Sequence, residues 1–344
     1  MSSSINKKRF LVIGSNSFSG SNFVSSLLDQ GHDVFGVSRS NQPNKVFLPY
    51  LWEDKENFKF KSKCDGFNFK SFDLNQDLEL LINFIDEVQP QYIVNFAAQG
   101  MVAESWQNPT NWYKTNILSQ VALHDELRKK KYISKYVHVT TPEVYGSTDE
   151  GWQKESFVFN PSTPYAVSRA ACDMHLMSFF KAYDFPVVFT RAANVYGPGQ
   201  QLYRIVPRTF LSALTGKKIN LHGGGISERS FIHIEDVVDI TAKIALNADP
   251  GTSWHLSTKE AISIRGLVQK ICDFTGVDFE SIVNVGEERL GKDLNYLLDS
   301  TKVRNEFKWE EKYSLHEGLT STCNWVKSNL LILKDLSWEY IHKS

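Results

Sequence analysis

Short apolar runs alternate with longer stretches of helical periodicity along the first half of the chain, and this alternation limits the possible folds more than any other feature. The run FLVIG at residues 10–14 predicts a first β-strand. The apolar residues that follow recur on one helical face as far as Gly31, where we expect the helix to end. The run DVFGVS at residues 33–38 then predicts a second strand.

The same strand-then-helix unit recurs further along the chain. The other predicted strands are FNFKSFD, YIVNFAA, YVHVTT and the first part of PVVFTRAANVYGPG, which then leaves the sheet. Strands that alternate with helices form βαβ units, which place the strands parallel in one sheet. We therefore expect the α/β fold class, with a Rossmann-type doubly wound parallel sheet whose ligands lie beyond the carboxyl ends of the strands.

The alternation loosens after Gly199, where helical stretches mix with short strands and the glycine-rich turn HGGGISERS. We expect a smaller, discontinuous C-terminal lobe there. The predicted division assigns residues 1–195, with part of 231–256, to a dinucleotide-binding domain and residues 196–344 mainly to the second lobe. The C-terminal stretch SNLLILKDLSWEYIHKS predicts an amphipathic helix or a packed arm with a structural role.

Composition gives no sign of a nucleic-acid or membrane partner. Lys and Arg number 38 against 39 Asp and Glu, so the formal net charge is -1, and no apolar run approaches the length that crosses a bilayer. The four cysteines are far apart and show no paired spacing, so we expect neither a disulfide framework nor a metal site. The N-terminal residues lack the apolar region of a signal peptide, and the expected location is the cytoplasm.

A glycine-containing loop connects the first predicted strand to the first helix. Gly14, Ser17 and Gly20 form the pattern G-x-x-S-x-x-G where the pyrophosphate of a dinucleotide would meet a helix N-terminus. Gly14 allows a tight turn and Gly20 allows the helix and strand to approach closely. Phe18 follows Ser17 in the same loop, and the backbone N–H groups of this loop are expected to bind the cofactor.

Residues after two other strands belong to the same predicted dinucleotide site. Asp73 and Leu74 follow the third strand, and Asp73 can equally be a helix cap. Ala97, Ala98 and Gln99 follow the fourth strand. The carboxyl ends of parallel strands meet at one edge of a sheet, so these residues are expected to lie near the glycine loop.

Ser38 and Arg39 stand at the end of the second strand, where an NAD enzyme usually offers a carboxylate to the adenosine ribose. No acidic side chain repels a 2′-phosphate there, and the guanidinium can bind one by charge-assisted hydrogen bonds. The sequence favours NADP over NAD as the cofactor, although an arginine at this position can equally be a solvated surface residue.

Several motifs in a fixed order carry a resemblance to a known family. Besides the glycine loop they are NFAAQGMVAESW, TTPEVYG, PYAVSR, RAANVYGPGQ, GGGISERSFIHIEDV and ERLGKDLNYLLDSTKVRNEFKW. With this order and spacing the chain resembles the extended short-chain dehydrogenases/reductases from Phe10 to about Trp325. Within them it is similar to the nucleotide-sugar 4,6-dehydratases and epimerases, of the dTDP-glucose or GDP-mannose 4,6-dehydratase type.

The resemblance implies catalytic roles for Thr141, Tyr165 and Arg169. In the family a tyrosine is the base for the sugar C4 hydroxyl while a hydride passes to a tightly bound, recycled nicotinamide, and a threonine or serine shares the hydrogen bond. Free tyrosine has a pKa of roughly 10, so a fixed cation is needed nearby. The family uses lysine four residues after the tyrosine. Arg169 stands there instead, one helical turn from Tyr165, where it keeps the charge and is expected to reach the nicotinamide ribose but cannot relay protons.

Glu143 bears on which bond is broken. In the glucose-type dehydratases an Asp-Glu pair follows the threonine: the glutamate removes the C5 proton and the aspartic acid protonates the departing C6 hydroxyl. This chain has Pro142 before Glu143. The mannose-type enzymes also lack that aspartate, and a single carboxyl can serve both steps because C5 and C6 are adjacent. Epimerases usually have a small or apolar residue at the glutamate position, so Glu143 favours elimination of water.

The resemblance also implies that a nucleotide-diphosphate hexose binds to the second lobe. Arg229 and Arg289 match family arginines that hold the nucleotide, and Arg204 is a further candidate. Asn194 matches an asparagine that contacts the substrate phosphate. Guanidinium groups suit phosphate because two of their N–H groups can bind it together.

The favoured interpretation is a nucleotide-sugar 4,6-dehydratase that oxidises C4 with bound NAD(P), eliminates water across C5 and C6, and returns the hydride to C6. A C4 epimerase or C4 dehydrogenase is the alternative within enzymes, since these reactions do not need Glu143. A catalytically inactive cofactor-binding protein is the alternative of another class, favoured by Pro142 together with Arg169. The resemblance further implies a homodimer through the helices that begin near Asn116 and Tyr165.

Overall fold

The computed structural model describes residues 7–54, 59–61, 64–147, 151–287 and 295–342. The strands within these ranges are, in chain order, β1 (Arg9–Ile13), β2 (Asp33–Ser38), β3 (Trp52–Asp54), β4 (Lys59–Phe60), β5 (Phe67–Ser71), β6 (Tyr92–Asn95), β7 (Lys135–Thr140), β8 (Val187–Ala192), β9 (Asn194–Tyr196), β10 (Ile219–His222), β11 (Glu228–Arg229), β12 (Phe231–His233), β13 (Ser253–Leu256), β14 (Ile262–Ser263), β15 (Val283–Gly286) and β16 (Asn295–Tyr296).

Helices connect most of these strands. The α-helices are α1 (Phe18–Asp29), α2 (Leu78–Val88), α3 (Val102–Ser105), α4 (Pro109–Tyr113), α5 (Ser119–Leu127), α6 (Pro164–Tyr183), α7 (Ile205–Thr215), α8 (Ile234–Asn247), α9 (Ile264–Thr275), α10 (Phe279–Ile282), α11 (Thr301–Phe307), α12 (Leu315–Ser328) and α13 (Leu330–Leu333). The 3₁₀ segments are Lys45–Phe47, Pro49–Leu51, Pro142–Tyr145 and Gly223–Gly225, and Lys114–Leu118 is π-helical. No helix in the described part of the chain has both the length and the apolar composition needed to cross a bilayer.

Seven strands form one parallel sheet in the order β13-β8-β7-β6-β1-β2-β5. β1 lies between β2 and β6, and the register pairs Ile13 with both Val37 and Asn95. The chain therefore reverses its direction of strand addition beside β1, which is the point where doubly wound folds bind ligands. The predicted α/β class and Rossmann-type sheet are confirmed.

Both faces of the sheet are covered by helices. Successive side chains of a strand point to opposite faces, so Leu11 and Ile13 pack against α2, α5 and α6 while Phe10 and Val12 pack against α1 and α8. All four side chains are at most 1% exposed. Complete burial of such a side chain stabilises the fold by about 1.5–3 kcal/mol, which explains the continuous apolar strands of the sequence.

Two helix N-termini are fixed at the carboxyl edge of the sheet by side-chain caps. The hydroxyl of Ser17 accepts a hydrogen bond from the N–H of Gly20 at the start of α1. The hydroxyl of Thr163 accepts one from the N–H of Ala166 at the start of α6, where Pro164 occupies the first helical position. Each cap contributes about 1 kcal/mol and sets the residue at which the helix begins.

The second lobe has its own core but returns segments to the main sheet. α7, α9 and α12 pack around side chains that include Phe210, Ile271 and Trp325. The sixth predicted strand divides as expected: β8 stays in the main sheet, whereas β9 pairs with β12 outside it. α8 then packs against α1 and β13 pairs with β8, so residues 234–256 lie with the large sheet. The exact domain division stays a prediction.

The C-terminal stretch contains one helical turn followed by an extended segment. α13 ends at Leu333, and residues 334–342, which we call the C-terminal arm, continue without regular structure. Leu336 and Trp338 pack against the core of the second lobe, while the intervening Ser337 is exposed. Of the two predicted conformations, the packed arm describes most of this stretch.

Candidate active site

The loop between β1 and α1 has the backbone geometry that its glycines predict. Gly14 has a φ of +83°, and a Cβ there would lie 2.8 Å from the backbone nitrogen of Ala97. A Cβ at Gly20 would lie 2.2 Å from the carbonyl oxygen of Gly14. The hydroxyl of Ser17 donates to that carbonyl at 2.7 Å, so it braces the turn. Both glycines are therefore required by close backbone approach.

Asn16, which sequence reasoning missed, fastens this loop to the end of β2. Its N–H donates to the hydroxyl of Ser38 at 2.9 Å, and its side-chain amide donates to the carbonyl of Ser40 at 2.9 Å. The Oδ1 atom of Asn16 is buried and accepts no hydrogen bond from the described residues. It remains available to a bound group. The only sequence signal was its position between Gly14 and Ser17.

Buried asparagines shape the loop that follows β6. The side chain of Asn95 accepts from the N–H of Ala97 at 2.9 Å. The Oδ1 of Asn116 accepts from the N–H of Gln99 at 2.7 Å, and its amide donates to the Gln99 carbonyl and to Ser168, both at 3.0 Å. Asn116 lies in the π-helical segment before α5, a rare conformation that is frequent at functional sites. Sequence reasoning had used Asn116 only as the start of a helix.

The other predicted cofactor residues lie along the same edge. The carboxylate of Asp73 accepts from the N–H of Asn75 at 2.8 Å, so it caps a turn before α2. Leu74 and Phe18 are buried, whereas Ala98 is exposed. Asp73 therefore caps a turn and not a helix, since Asp77 stands at the N-cap of α2. Contacts of these residues with a cofactor stay predictions.

Tyr165 is the second residue of α6, close to the positive end of the helix dipole, which favours a negative charge. Its N–H donates to the hydroxyl of Ser105 at 3.2 Å, and that hydroxyl donates to the carbonyl of Val102 at 2.6 Å. Ser105 is fully buried and joins α3 to the start of α6. It was not predicted, because nothing in the sequence links it to a residue sixty positions away.

Thr141 and Glu143 lie together at the carboxyl end of β7. Thr141 caps the 3₁₀ segment Pro142–Tyr145, and its hydroxyl donates to Oε2 of Glu143 at 2.7 Å. Pro142 is buried at the first position of this segment, where its fixed φ favours the turn and its missing N–H costs nothing. Pro142 therefore helps to place Glu143 but offers no acidic group.

Tyr165 is surrounded by the other predicted catalytic groups. Burial raises the pKa of Tyr165 to about 12, and the nearby carboxylate of Glu143 contributes to the increase. The guanidinium of Arg169, a hydrogen bond with Thr141 and the guanidinium of Arg204 all act to lower this pKa. The structure therefore brings Thr141, Glu143 and Tyr165 together, with two cations in electrostatic reach of the phenol. Arg204 was predicted as a substrate contact only.

Arg169 is buried in the interior instead of lying at the surface. It is 2% exposed, one of its terminal nitrogens donates to the carbonyl of Val139, and the same nitrogen lies 3.4 Å from Nε2 of His138. Its Nε and its other terminal nitrogen have no acceptor among the described residues. Contact of these N–H groups with a bound ribose stays a prediction. Its burial shows that Arg169 is not a solvated surface residue.

A buried charged network continues below Arg169. Asp173 accepts from the guanidinium of Arg191 at 2.7 Å and from the hydroxyl of Thr140 at 3.1 Å, and it lies 3.4 Å from His138. All of these side chains except Thr140 are at most 2% exposed, as is Arg169. Two guanidinium groups thus face one carboxylate. Of these two cations, Arg169 acts on the phenol of Tyr165 and lowers its pKa.

The same region brings His124, His138 and Cys172 together, with candidate ligand atoms within 4.8 Å of one another. Burial holds the pKa of both histidines well below the usual value, and the charge of Arg169 adds to this effect. A metal ion there would face the Arg169 guanidinium close to His138, so electrostatic repulsion disfavours it. We therefore interpret the cluster as structural.

Three of the four predicted nucleotide-sugar residues lie in the described part of the chain, on β9, on β11 and just before α7. Arg229, on β11, is buried; its guanidinium carbon lies 3.8 Å from the ring centre of Tyr296 and one nitrogen donates to the Glu228 carbonyl at 2.6 Å. Asn194 is partly buried at the start of β9. Arg289 lies outside the described residues. Contact of these side chains with a substrate stays a prediction.

The edge of the sheet around β1 and β6 fits a dinucleotide. Gly14 and Gly20 let the turn and the start of α1 approach neighbouring backbone closely, and the first N–H groups of a helix that lack an intrahelical partner can bind phosphate. The free acceptor of Asn16 and the free donors of Arg169 lie in residues of the same edge. Donors, acceptors and backbone access are thus all present for a nucleotide with ribose hydroxyls and phosphates.

Comparisons with known proteins agree with this geometry. A trifunctional UDP-glucose 4,6-dehydratase/UDP-4-keto-6-deoxy-D-glucose 3,5-epimerase/UDP-4-keto-L-rhamnose-reductase of Arabidopsis thaliana is 32% identical over 240 residues, which is 69% of this chain. The match spans only 36% of that larger protein. A dTDP-glucose 4,6-dehydratase of Streptomyces niveus is 28% identical over 333 residues, and the match covers 93% of each of the two chains.

A solved structure shows the same fold along nearly the whole chain. The dTDP-glucose 4,6-dehydratase of Streptomyces venezuelae, crystallised with NAD, superposes with a TM-score of 0.84 at 29% identity, covering 93% of this chain and 97% of the other. The family model of GDP-mannose 4,6 dehydratase matches residues 11–322. The chain therefore belongs to the GDP-mannose 4,6 dehydratase family of the extended short-chain dehydrogenases/reductases, as its motifs predict.

Proposed function

We propose that this chain is a nucleotide-sugar 4,6-dehydratase, a lyase that converts a nucleotide-diphosphate hexose into the 4-keto-6-deoxy sugar nucleotide and water. One observation carries the proposal: the Glu143 carboxylate is held by the Thr141 hydroxyl beside the phenol of Tyr165. A hydroxyl, a phenol and a carboxylate at one strand end supply a base for C4 and a separate base for C5. The relatives named as 4,6-dehydratases support the same reaction.

Tyr165 takes the proton of the C4 hydroxyl as that carbon is oxidised. A bound nicotinamide dinucleotide supplies the acceptor for two electrons at C4 and returns the same two electrons at C6. Arg169 and Arg204 favour the phenolate, because both lower the pKa of Tyr165 against the effect of burial. Arg169 cannot give up its own proton, so its contribution is a fixed charge. Thr141 shares the hydrogen bond to the phenol and orients it.

Glu143 serves both halves of the elimination. Once C4 is a ketone, the C5 proton is acidic and the carboxylate removes it. The resulting carboxylic acid then protonates the departing C6 hydroxyl, so that water leaves and the carboxylate is restored. When C6 is reduced, a proton must also be added at C5. The same carboxyl can relay this proton from solvent. Pro142 offers no acid, and this sequence of steps requires none.

Of the two nicotinamide dinucleotides, the cofactor proposed for this site is NADP. Arg39 follows β2 where a carboxylate would otherwise stand, and the Ser38 hydroxyl is already occupied by the N–H of Asn16. A cation at this position favours a 2′-phosphate over a free 2′-hydroxyl. The solved relative holds NAD. NAD is therefore the alternative cofactor, and a binding measurement must compare the affinities for NAD and NADP.

The partner proposed for assembly is a second copy of this chain. Leu118, Val167 and Met174 are exposed, and all three lie on α6 or just before α5, the two predicted dimer helices. Apolar side chains grouped on one surface favour association. Sedimentation equilibrium would then give twice the mass of the chain, and a mass of one chain at micromolar concentration would refute the dimer. We also propose a cytoplasmic location, where the four free cysteines would stay reduced.

The experiment that tests the function is a substrate panel. Purified protein is incubated with GDP-, UDP-, dTDP- and CDP-hexoses, including N-acetylated ones, and the products are analysed by mass spectrometry. Loss of one water from one nucleotide sugar supports the proposal and identifies the substrate. A change of configuration or oxidation state at C4 without loss of water would instead favour the epimerase or dehydrogenase, and retention of dinucleotide without any turnover would favour the inactive binding protein.

A further inference from the structure

The C-terminal arm leaves the second lobe and ends against the loop that follows β6. The imidazole of His342 stacks on the indole of Trp112, with ring centres 5.0 Å apart and planes 11° apart. Its Nε2 lies 3.0 Å from the side-chain amide nitrogen of Asn111. The arm is thus fixed at its far end by residues of α4, which belong to the large-sheet half of the molecule.

Tyr340 contacts Gln99, a residue of the predicted dinucleotide site. The side-chain amide of Gln99 donates to the Tyr340 hydroxyl at 2.8 Å, and the ring of Tyr203 packs edge-on at 5.4 Å. Gln99 is one of the predicted cofactor residues and is 5% exposed. The positive charge of Arg39 also acts on the phenol of Tyr340. The arm therefore lies across the edge between the end of β6 and the end of β2.

The near end of the arm is tied to α7 of the second lobe. The guanidinium of Arg208 donates to both carboxylate oxygens of Glu339, at 2.5 and 3.2 Å. The indole of Trp338 packs against the second-lobe core, and the ammonium of Lys217 lies over it, 4.6 Å from the ring centre. The arm therefore bridges the second lobe and the predicted dinucleotide site.

We propose that the C-terminal arm covers the dinucleotide cleft and that Tyr340 is a positioning residue, which holds the Gln99 amide in place and slows release of the cofactor. A cofactor that is reduced and then oxidised again within one turnover must stay bound between the two steps. The contacts of the arm are a few hydrogen bonds and ring contacts, which are weak enough to open for cofactor loading. This inference rests on the dinucleotide part of the proposed function and not on the sugar chemistry.

The test measures cofactor release directly. Protein loaded with NADPH or NADH is mixed with an excess of the oxidised form, and the dissociation rate is followed by the fluorescence of the reduced nicotinamide. The variants are Tyr340→Ala, Tyr340→Phe, Arg208→Ala and a chain ending at Trp338, which keeps the core-packed Leu336 and Trp338. Ile341→Ser is the matched control, because Ile341 is in the same arm and points to solvent.

We expect release from Tyr340→Ala to be about tenfold faster, at unchanged melting temperature, from loss of one hydrogen bond and one ring contact. The shortened chain, which also loses the contacts of Glu339 and His342, should release the cofactor at least as fast. Tyr340→Phe keeps the ring but loses the hydroxyl, so its release rate should lie between the rates of these variants and that of the wild type. Arg208→Ala should accelerate release without touching the cleft, and Ile341→Ser should not differ from the wild type.

Two results would overturn the inference. Equal release rates in all variants would show that the arm does not cover the cofactor, and tighter binding by the shortened chain would show that the arm competes with it. Neither result affects the dehydratase proposal, which the substrate panel tests separately. Failure of the wild-type chain to bind either dinucleotide would refute both.

Discussion

The hydroxyl of Thr141 donates to Oε2 of Glu143 at 2.7 Å, directly beside the phenol of Tyr165. This hydrogen bond connects the residue that bonds to the proposed C4 base, Tyr165, with the residue proposed to act at C5. Its geometry depends on the 3₁₀ turn that begins at Pro142, since that turn brings the carboxylate back toward its own cap. The proline in place of an acid is therefore part of the arrangement that holds the base.

Glu143→Gln should abolish the elimination and spare the fold. Glutamine can still accept the hydrogen bond of Thr141, but it can neither remove the C5 proton nor protonate the C6 oxygen. We expect the rate of water loss to fall by roughly two to four orders of magnitude, the usual contribution of a general acid or base. Mass spectrometry of the product measures it, with the exposed Glu306→Gln on α11 as the control. Undiminished water loss in Glu143→Gln would exclude Glu143 as the base.

Arg169→Met should move the rise of activity with pH, which reports the ionisation of Tyr165, to higher pH. Burial raises the pKa of this phenol, and Arg169 is one of the groups that lower it, so removal of the cation raises the pKa further. Each unit of increase lowers the phenolate fraction at neutral pH about tenfold. A pH–rate profile of Arg169→Met should therefore show at least that loss, and Arg169→Lys should recover much of the rate. Coincident profiles of the wild type and Arg169→Met would contradict the proposed role.

Arg39→Ala should weaken binding of NADP and leave binding of NAD nearly unchanged. A charge-assisted hydrogen bond to a phosphate is stronger than one between neutral groups, so we expect the dissociation constant for NADP to rise by about tenfold or more. Calorimetric titration of wild type and variant with both dinucleotides measures the effect. Tighter binding of NAD than of NADP by the wild type, with no change in the variant, would assign NAD as the cofactor.

Stability should decrease as pH falls below about 6.5 because His255 is held neutral in the fold. Burial lowers its pKa to about 3, aided by Arg191. Its Nδ1 lies 3.1 and 3.2 Å from the carbonyls of Gln153 and Asp299, and the Tyr145 hydroxyl lies 2.9 Å from Nε2, which fits the neutral ring. The unfolded chain binds a proton below the ordinary pKa of 6.5, whereas the folded chain does not until about 3.

The unfolded state therefore gains protons first, and at pH 5 this single group should cost about 2 kcal/mol of unfolding free energy. Urea denaturation near pH 7.5 and near pH 5, in the wild type and in His255→Gln, isolates the effect. The variant should show a difference between the two pH values that is smaller by about that amount. An identical pH dependence in both proteins would show that His255 is not the group responsible.

The sheet and the group around Tyr165 were predictable because their signals are local. Apolar periodicity identified six strands of the main sheet and their helices, and parallel pairing then brings Thr141 and Glu143, after β7, beside the start of α6. β13 was not identified, since SWHL is short and half polar. Its Ser253 and His255 are buried only because partners distant in sequence bind them.

Contacts between distant parts of the chain were not predictable. Gln99 and Tyr340 are 241 positions apart, and no periodicity relates them. The stretch SNLLILKDLSWEYIHKS predicts an amphipathic helix or a packed arm, but it does not say which surface the segment covers. Likewise, the spacing of Tyr165 and Arg169 places both on one helix face, whereas the depth of the arginine depends on the packing of β7 against α6.

The most direct test of the proposed reaction uses the accepted nucleotide hexose labelled with deuterium at C4. Mass spectrometry and NMR of the product report both the number of atoms lost and the position of the label. A 4,6-dehydratase that recycles its cofactor gives a product that has lost one water and carries the deuterium at C6. A product of unchanged composition with altered configuration at C4, or an oxidised product that has lost the label, would contradict the dehydratase assignment.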